Sequence, residues 1–163
     1  MTIARAYGRV GLLGNPSDMY GGKCISFTFD RFTEVEIKDS LELRIESNGI
    51  VEDNLDYNKN HDLVKAVINY IKPPNRKFWI RYGNNIPVGA GLAGSTAIVV
   101  ATLRAIGRHF DLSLDEYQIA EFATYTETDE LGIAAGFQDR YVISFEGVCY
   151  MDFEGREPMR KEE

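Results

Sequence analysis

The stretch Pro87-Val88-Gly89-Ala90-Gly91-Leu92-Ala93-Gly94-Ser95-Thr96-Ala97 crowds three glycines and two hydroxyls into one short loop, and the apolar run Ile98 to Leu103 follows at once. Glycine permits positive φ and lets a ligand approach the backbone closely. Ser95 and Thr96 suit a helix start. The first turn of a helix leaves unpaired N–H groups and carries partial positive charge. Together these features form a site for an anion, most often phosphate. The loop lacks the Lys of G-x-x-x-x-G-K-[ST]. It matches the letters of G-x-G-x-x-G without a suitably placed acidic residue on a following strand. A tight turn into a buried helix is the plain alternative.

Four other side chains can do chemistry with such a loop. Arg9 lies on the first apolar alternation, and Asp18 lies in the polar loop after it. Glu127 and Asp139 flank the segment Glu127-x4-Gly132-x3-Gly136-x2-Asp139. On their own, the two carboxylates read as solvated helix-end charges and Arg9 as half of a strand ion pair.

These residues need a scaffold. Ile3 to Leu13 alternates as a strand. Gly14 to Gly22 breaks regularity with Asn-Pro and Gly-Gly. Lys23 to Phe29, Thr33 to Lys38 and Leu41 to Ser47 read as strands, with one face buried and an acidic face in solvent, suggesting an antiparallel meander. Asp62 to Ile71 has helical spacing and stops before Pro73-Pro74. Phe78 to Tyr82 is a strand feeding the Gly-rich loop, and Ser95 to Phe110 is a buried central helix. Asp115 to Thr128 is a second helix, and Leu131 to Gly136 is a loop. Tyr141 to Phe145 and Val148 to Phe153 read as a hairpin about Glu146-Gly147, with Cys149-Tyr150-Met151 in the core.

Pro87-x-x-x-Gly91-Leu92-Ala93-Gly94-Ser95-Thr96-Ala97 resembles the P-x-x-x-G-L-[GAS]-[SG]-S-[SA]-A loop of the GHMP kinases, which include galactokinases, homoserine kinases and mevalonate kinases. Ala6-Tyr7-Gly8-Arg9-Val10-Gly11-Leu12-Leu13-Gly14-Asn15-Pro16-Ser17-Asp18 is similar to their first motif, with Arg9, Gly14 and Asp18 in register. The E-x4-G-x3-G-x2-D pattern of galactokinases falls on Glu127, Gly132, Gly136 and Asp139. Gly136-Phe137-Gln138-Asp139-Arg140 and the Asn15-Pro16-Ser17 substitution resemble the glucuronokinase branch, which phosphorylates the anomeric oxygen of glucuronic acid.

The resemblance implies an α+β fold: a mixed, largely antiparallel sheet with helices on one face, ribosomal protein S5 domain 2-like, filling residues 1–163 as one domain. It implies ATP held by Pro87, Gly89, Ala90, Gly91, Leu92, Ala93, Gly94, Ser95 and Thr96, and Mg²⁺ held by Ser95 and Glu127. Asp139 is expected to meet the acceptor hydroxyl. Arg9 is expected beside it, countering developing charge. Gly14, Asp18, Tyr20 and Gly136 are expected at the substrate. A uronate would also need a cation, for which Arg5, Lys23, Arg31 and Arg140 are the candidates. The implied second domain, with a further Gly-rich motif, has no counterpart in these residues. The expectations are then a truncated or split kinase, a half completed by a complementary C-terminal-domain polypeptide, or a silent nucleotide- or sugar-binding domain. A severed inter-domain face would favour homo-oligomers.

Composition narrows the classes. The chain has 163 residues, 44% of them apolar, and a formal net charge of −7. That suits one domain with a real core and speaks against nucleic-acid binding. No apolar run reaches the ~18 residues of a membrane span, and no leader pattern opens the chain, so a cytoplasmic protein is expected. Cys24 and Cys149 form no framework or metal spacing. His61 and His109 read as surface or helix-end residues. The mixed run Glu154 to Glu163 reads as a solvated tail.

Overall fold

The computed structural model describes residues 1–133 and 136–156. Part of the predicted loop (Ala134 and Ala135) and most of the predicted tail (Glu157 to Glu163) lie outside the described residues. The strands are β1 (Thr2–Leu13), β2 (Lys23–Asp39), β3 (Arg44–Ser47), β4 (Ile50–Glu52), β5 (Phe78–Asn84) and β6 (Val148–Asp152). The helices are α1 (Asp62–Ile71), α2 (Gly94–His109), α3 (Glu116–Tyr125) and α4 (Gln138–Phe145). A 3-10 turn spans Ser17–Tyr20, and a π-helical turn, Thr126–Glu130, continues α3.

The sheet runs β1-β2-β5-β3-β4, with β6 added against β2. All pairings are antiparallel except β3 with β5. Thr33, Val35 and Ile37 of β2 and Phe78 and Ile80 of β5 face inward, and all are fully buried. They pack with Val99, Val100, Leu103 and Ile106 of α2 and with Val64, Val67 and Ile68 of α1 in one core. The period-2 and period-3.6 patterns therefore bury their apolar faces against each other. The outward residues pair across strands: Arg5 with Glu34 and Arg81 with Glu36. The acidic stripe is this paired, half-exposed face.

Three expectations are corrected. The two strands predicted over Lys23–Phe29 and Thr33–Lys38 are one, β2, continuous through Asp30-Arg31. Its partner register jumps between Tyr7↔Phe32 and Arg9↔Thr28, so a bulge absorbs the polar residues. The predicted hairpin is not formed, because Tyr141 to Phe145 belongs to α4 and only Val148–Asp152 is a strand, paired to β2. Tyr-Val-Ile-Ser-Phe favours strand by composition, but that preference is weak and packing overrides it: Val142, Ile143 and Ser144 are all buried in consecutive positions, as a strand with one wet face would not allow. Third, Met151 is in the core while Tyr150 is 63% exposed.

Candidate active site

The Gly-rich loop joins β5 to α2, and its anchors are asparagines. Asn84 Oδ1 accepts from Ile86 N at 2.9 Å, and Asn85 Oδ1 accepts from Phe32 N at 2.7 Å. At the far end the loop docks on β1: Arg9 N donates to Leu92 O at 3.1 Å. Gly8 makes this approach possible, since a Cβ there would lie 3.0 Å from Leu92 O and 2.7 Å from the Phe29 ring. Gly89 and Gly91 sit at φ +71° and +69°, and a Cβ on either would meet nothing within 4 Å. Their positive φ shapes an open backbone cradle.

Helix α2 begins at Gly94, not Ser95, with Ala93 as its N-cap at φ 56° and no side-chain capping bond. Ser95 and Thr96 are thus inside the first turn. Ser95 is exposed, and Thr96 is buried and turns away to Glu127. Among the described residues no side chain caps the first-turn N–H groups, which leaves them free to meet an anion.

Arg9 and Asp139 meet beside this cradle. Arg9 Nε donates to Asp139 Oδ1 at 2.6 Å, with the two side chains 12% and 21% exposed. The same guanidinium donates through Nη1 to Gly91 O at 3.0 Å. One arginine therefore ties the loop to the first turn of α4. A cavity of about 530 Å³ is lined by the loop residues together with Arg9, Glu127, Asp139 and Arg140.

Glu127 sits in the π-helical turn, a local irregularity that often marks functional positions. It is buried, and Arg140 Nη2 lies 2.5 Å from its Oε2. Thr96 Oγ1 approaches both oxygens at 3.3 and 3.4 Å. Burial pushes the Glu127 carboxyl above its ordinary range, and Arg140 pulls the other way. Among the described residues Oε1 keeps only the long Thr96 contact, so one hard oxygen could meet a cation. Mg²⁺ takes one or two carboxylates plus phosphate oxygens rather than an all-protein cage. Glu127 and exposed Ser95 fit that donor set, while Thr96, not Ser95, is the hydroxyl touching Glu127.

The expected substrate residues do not line this cavity. Gly14 makes a tight turn at φ +83°, where a Cβ would fall 2.2 Å from Lys23 O. Tyr20 is 82% exposed. Asp18 is buried, and its carboxylate accepts from Gln138 N and Gln138 Nε2, each at 3.1 Å. Gly136 packs on that carboxylate. Each Asp18 oxygen accepts one of these bonds, and a carboxylate oxygen has a second lone pair for a further donor. Three of the four candidate cations have carboxylate partners, and the fourth bonds a backbone carbonyl. Arg5 pairs with Glu34 at 2.7 Å, Lys23 with Asp152 at 3.3 Å and Arg140 with Glu127, while Arg31 donates to Asp30 O at 3.1 Å.

Sequence reasoning missed Gly8, Thr96's turn to Glu127 and the anchors Asn84 and Asn85. Asn-Asn before Ile-Pro was the available signal, since Asn side chains often replace backbone partners at turns.

A glycine-rich loop opening on an uncapped helix start, with an Arg–Asp pair at its mouth, on a mixed α+β sheet is thus what fold and site define. Residues 62–147 match the family model of the GHMP kinases N terminal domain. The chain belongs to that family. It is 32% identical over 174 residues to Glucuronokinase 1 of Arabidopsis thaliana, covering 91% of this chain and 48% of that protein. It is 29% identical over 157 residues to a galactokinase of Thermosipho africanus, covering 91% of this chain and 45% of that one. Among solved structures, a D-glycero-D-manno-heptose 1-phosphate kinase from Bacteriodes thetaiotaomicron superposes with TM-score 0.84 at 26% identity, covering 94% of this chain and 56% of that one. The chain spans about half the length of the curated relatives it matches.

Proposed function

We propose that this chain is the N-terminal, nucleotide-binding domain of a sugar kinase that moves the γ-phosphoryl group of ATP to a sugar hydroxyl, with the anomeric hydroxyl of glucuronic acid as the favoured acceptor. The observation that carries the reading is the Arg9–Asp139 ion pair at 2.6 Å beside an uncapped, glycine-lined helix start.

The backbone from Pro87 to Thr96 cradles the β- and γ-phosphates. The helix end supplies only ~0.3–2 kcal/mol, so positioning and cationic charge carry most of the rate. Asp139 orients the acceptor hydroxyl and takes its proton. The acceptor oxygen forms the new P–O bond as the bond to the β-phosphate oxygen breaks, and ADP leaves. Arg9 holds Asp139 in place and counters charge on the transferring group. Glu127 and Ser95 would hold Mg²⁺, which when bound would neutralise phosphate charge.

Glucuronate is supported by the two glucuronokinases among the relatives, each 32% identical, and by Gly136-Phe137-Gln138-Asp139-Arg140. Since Arg5, Lys23 and Arg31 do not line the cavity and Arg140 is paired with Glu127, we assign recognition of a uronate carboxylate to a complementary half, in the same or another polypeptide. That half also closes the phosphate site. ATP dependence and the unpaired cysteines Cys24 and Cys149 support a cytoplasmic setting.

The test is ADP release with Mg-ATP and glucuronate, galacturonate, galactose, arabinose or mevalonate. Turnover confined to glucuronate is expected. Turnover with a neutral sugar only would replace the substrate within the same chemistry. ATP binding without any turnover, even with a supplied C-terminal domain, would favour a silent binding domain.

A further inference from the structure

An edge strand offers unpaired N–H and C=O groups to any extended chain, and proteins usually shorten or cover such edges. Three strands of this sheet have a partner on one side only: β1, β4 and β6. Strand β4 is three residues long, and His61 Nε2 lies 3.2 Å from its Ile50 O. Strand β1 is long, but its outer groups find partners. Arg108 Nη1 donates to Ile3 O at 3.3 Å, Arg104 Nη1 donates to Arg5 O at 2.8 Å, and Arg9 N donates to Leu92 O at 3.1 Å.

Strand β6 has no such cover among the described residues. Its register with β2 runs without a bulge. Thr28 N donates to Gly147 O at 3.0 Å and Phe153 N donates to Gly22 O at 3.3 Å, one at each end of the strand. Antiparallel bonding alternates. Cys149 and Met151 therefore bond β2, while Val148, Tyr150 and Asp152 turn their N–H and C=O groups to the free side. The one charge on the strand, Asp152, is paired with Lys23 at 3.3 Å. Apolar side chains flank the edge instead. Val148 and Tyr150 are 76% and 63% exposed on the open face of the sheet. On the helical face Tyr117, Tyr141 and Phe145 line a groove of about 520 Å³ together with β6. No residue of β6 lines the cavity at the Gly-rich loop.

We propose that β6 is a docking edge for a second copy of this chain, the two β6 strands pairing antiparallel about a twofold axis at Tyr150. The strand is its own complement. A twofold contact sets residue i against j and j against i. Centred on Tyr150, it sets Tyr150 opposite Tyr150, Val148 opposite Asp152 and Cys149 opposite Met151. Every outward N–H and C=O group then meets an outward group of the second copy, in the hydrogen-bonded positions of the ladder. A centre between two residues would oppose outward groups to inward ones. The Tyr150 pair adds a cross-strand aromatic contact, and no like charges stand opposite each other. The inference is independent of the kinase reading.

The test is the oligomeric state of the 163-residue chain, by light scattering and sedimentation across concentrations, where a dimer is expected. Tyr150→Pro removes an N–H on the free side and no bond to β2, so the fold is kept. Two ladder bonds are lost by symmetry, and the dimer should weaken by ~10-fold or more. Tyr150→Lys keeps the backbone and sets like charges opposite each other. It should act the same way, and it serves where the proline variant does not fold. The register has its own readout. In a Cys149→Ser chain, Tyr150→Cys should form an intermolecular disulfide on mild oxidation, because paired Cα atoms lie ~5.5 Å apart. Val148→Cys should not, because its two copies are offset by ~13 Å along the strand. A monomer at every concentration overturns the proposal and leaves the edge to the complementary half. A dimer unmoved by Tyr150→Pro and Tyr150→Lys also overturns it, as does cross-linking at position 148 in place of 150.

Discussion

Arg9 and Asp139 are 130 residues apart in sequence and 2.6 Å apart in space. Arg9 comes from the edge strand β1 and Asp139 from the first turn of α4. The same Arg9 reaches Gly91 O, so the Gly-rich loop, the acid and the strand meet at one guanidinium. Arg9→Lys keeps the charge and loses the fork that serves both partners. Turnover should fall by ~10²-fold or more while nucleotide affinity changes little; steady-state kinetics beside calorimetry with a non-hydrolysable ATP analogue measures both.

The loop should respond differently. Gly91 sits at φ +69° in open space, so a side chain there meets strain rather than a clash. Gly91→Val should cost about 1–2 kcal/mol in the folded state and move the cradle's N–H groups. Weaker nucleotide binding with near-normal folding is expected in calorimetry and urea melts. Binding unchanged would place the phosphates elsewhere.

Arg140 and Glu127 form a buried pair, 1% and 2% exposed at the side chains. Removing only the cation leaves a buried carboxylate uncompensated. Arg140→Met should destabilise the fold by about 3–5 kcal/mol, whereas Arg140→Met with Glu127→Leu should recover most of it. Urea unfolding of the three proteins checks the sign of the difference.

A second buried cation gives a pH dependence. Lys65 is fully buried, and its Nζ bonds Glu52, Asp56 O and Asn58 Oδ1. The hydrogen bond from Lys65 holds the Glu52 carboxyl down at about 2, from an ordinary 4.5. A depressed folded-state value means the contribution is complete above pH 4.5 and is lost as pH falls toward 2. Lys65→Met should lower stability at neutral pH and flatten the slope across that window, as chemical denaturation at a series of pH values would show.

Much of this was legible in sequence for physical reasons. Asp62–Ile71 declared itself by spacing and by Pro73-Pro74, and the helix after Gly94 by its small and apolar residues. What failed was non-local. Tyr141 to Phe145 looks like a strand until Arg140 and Ser144, one turn apart, are both found buried. Arg9 and Asp139 were joined only through family resemblance, since no spacing rule links β1 to α4. Asp18 was expected at the substrate because polar loops after strands often hold ligand residues, and what sequence did not show is how it is held. Its burial against Gly136 and Gln138 depends on a fold that brings distant segments together.

The central claim is that Asp139 receives the acceptor proton beside a phosphate cradle. Its most direct test is single-turnover transfer of labelled γ-phosphoryl from ATP to glucuronate, comparing the protein with Asp139→Asn after calorimetry has shown equal ATP affinity. A loss of about 10²–10⁴-fold in the transfer rate is expected for the loss of a positioned base. Transfer at the parent rate in Asp139→Asn, with ATP still bound, would contradict the account.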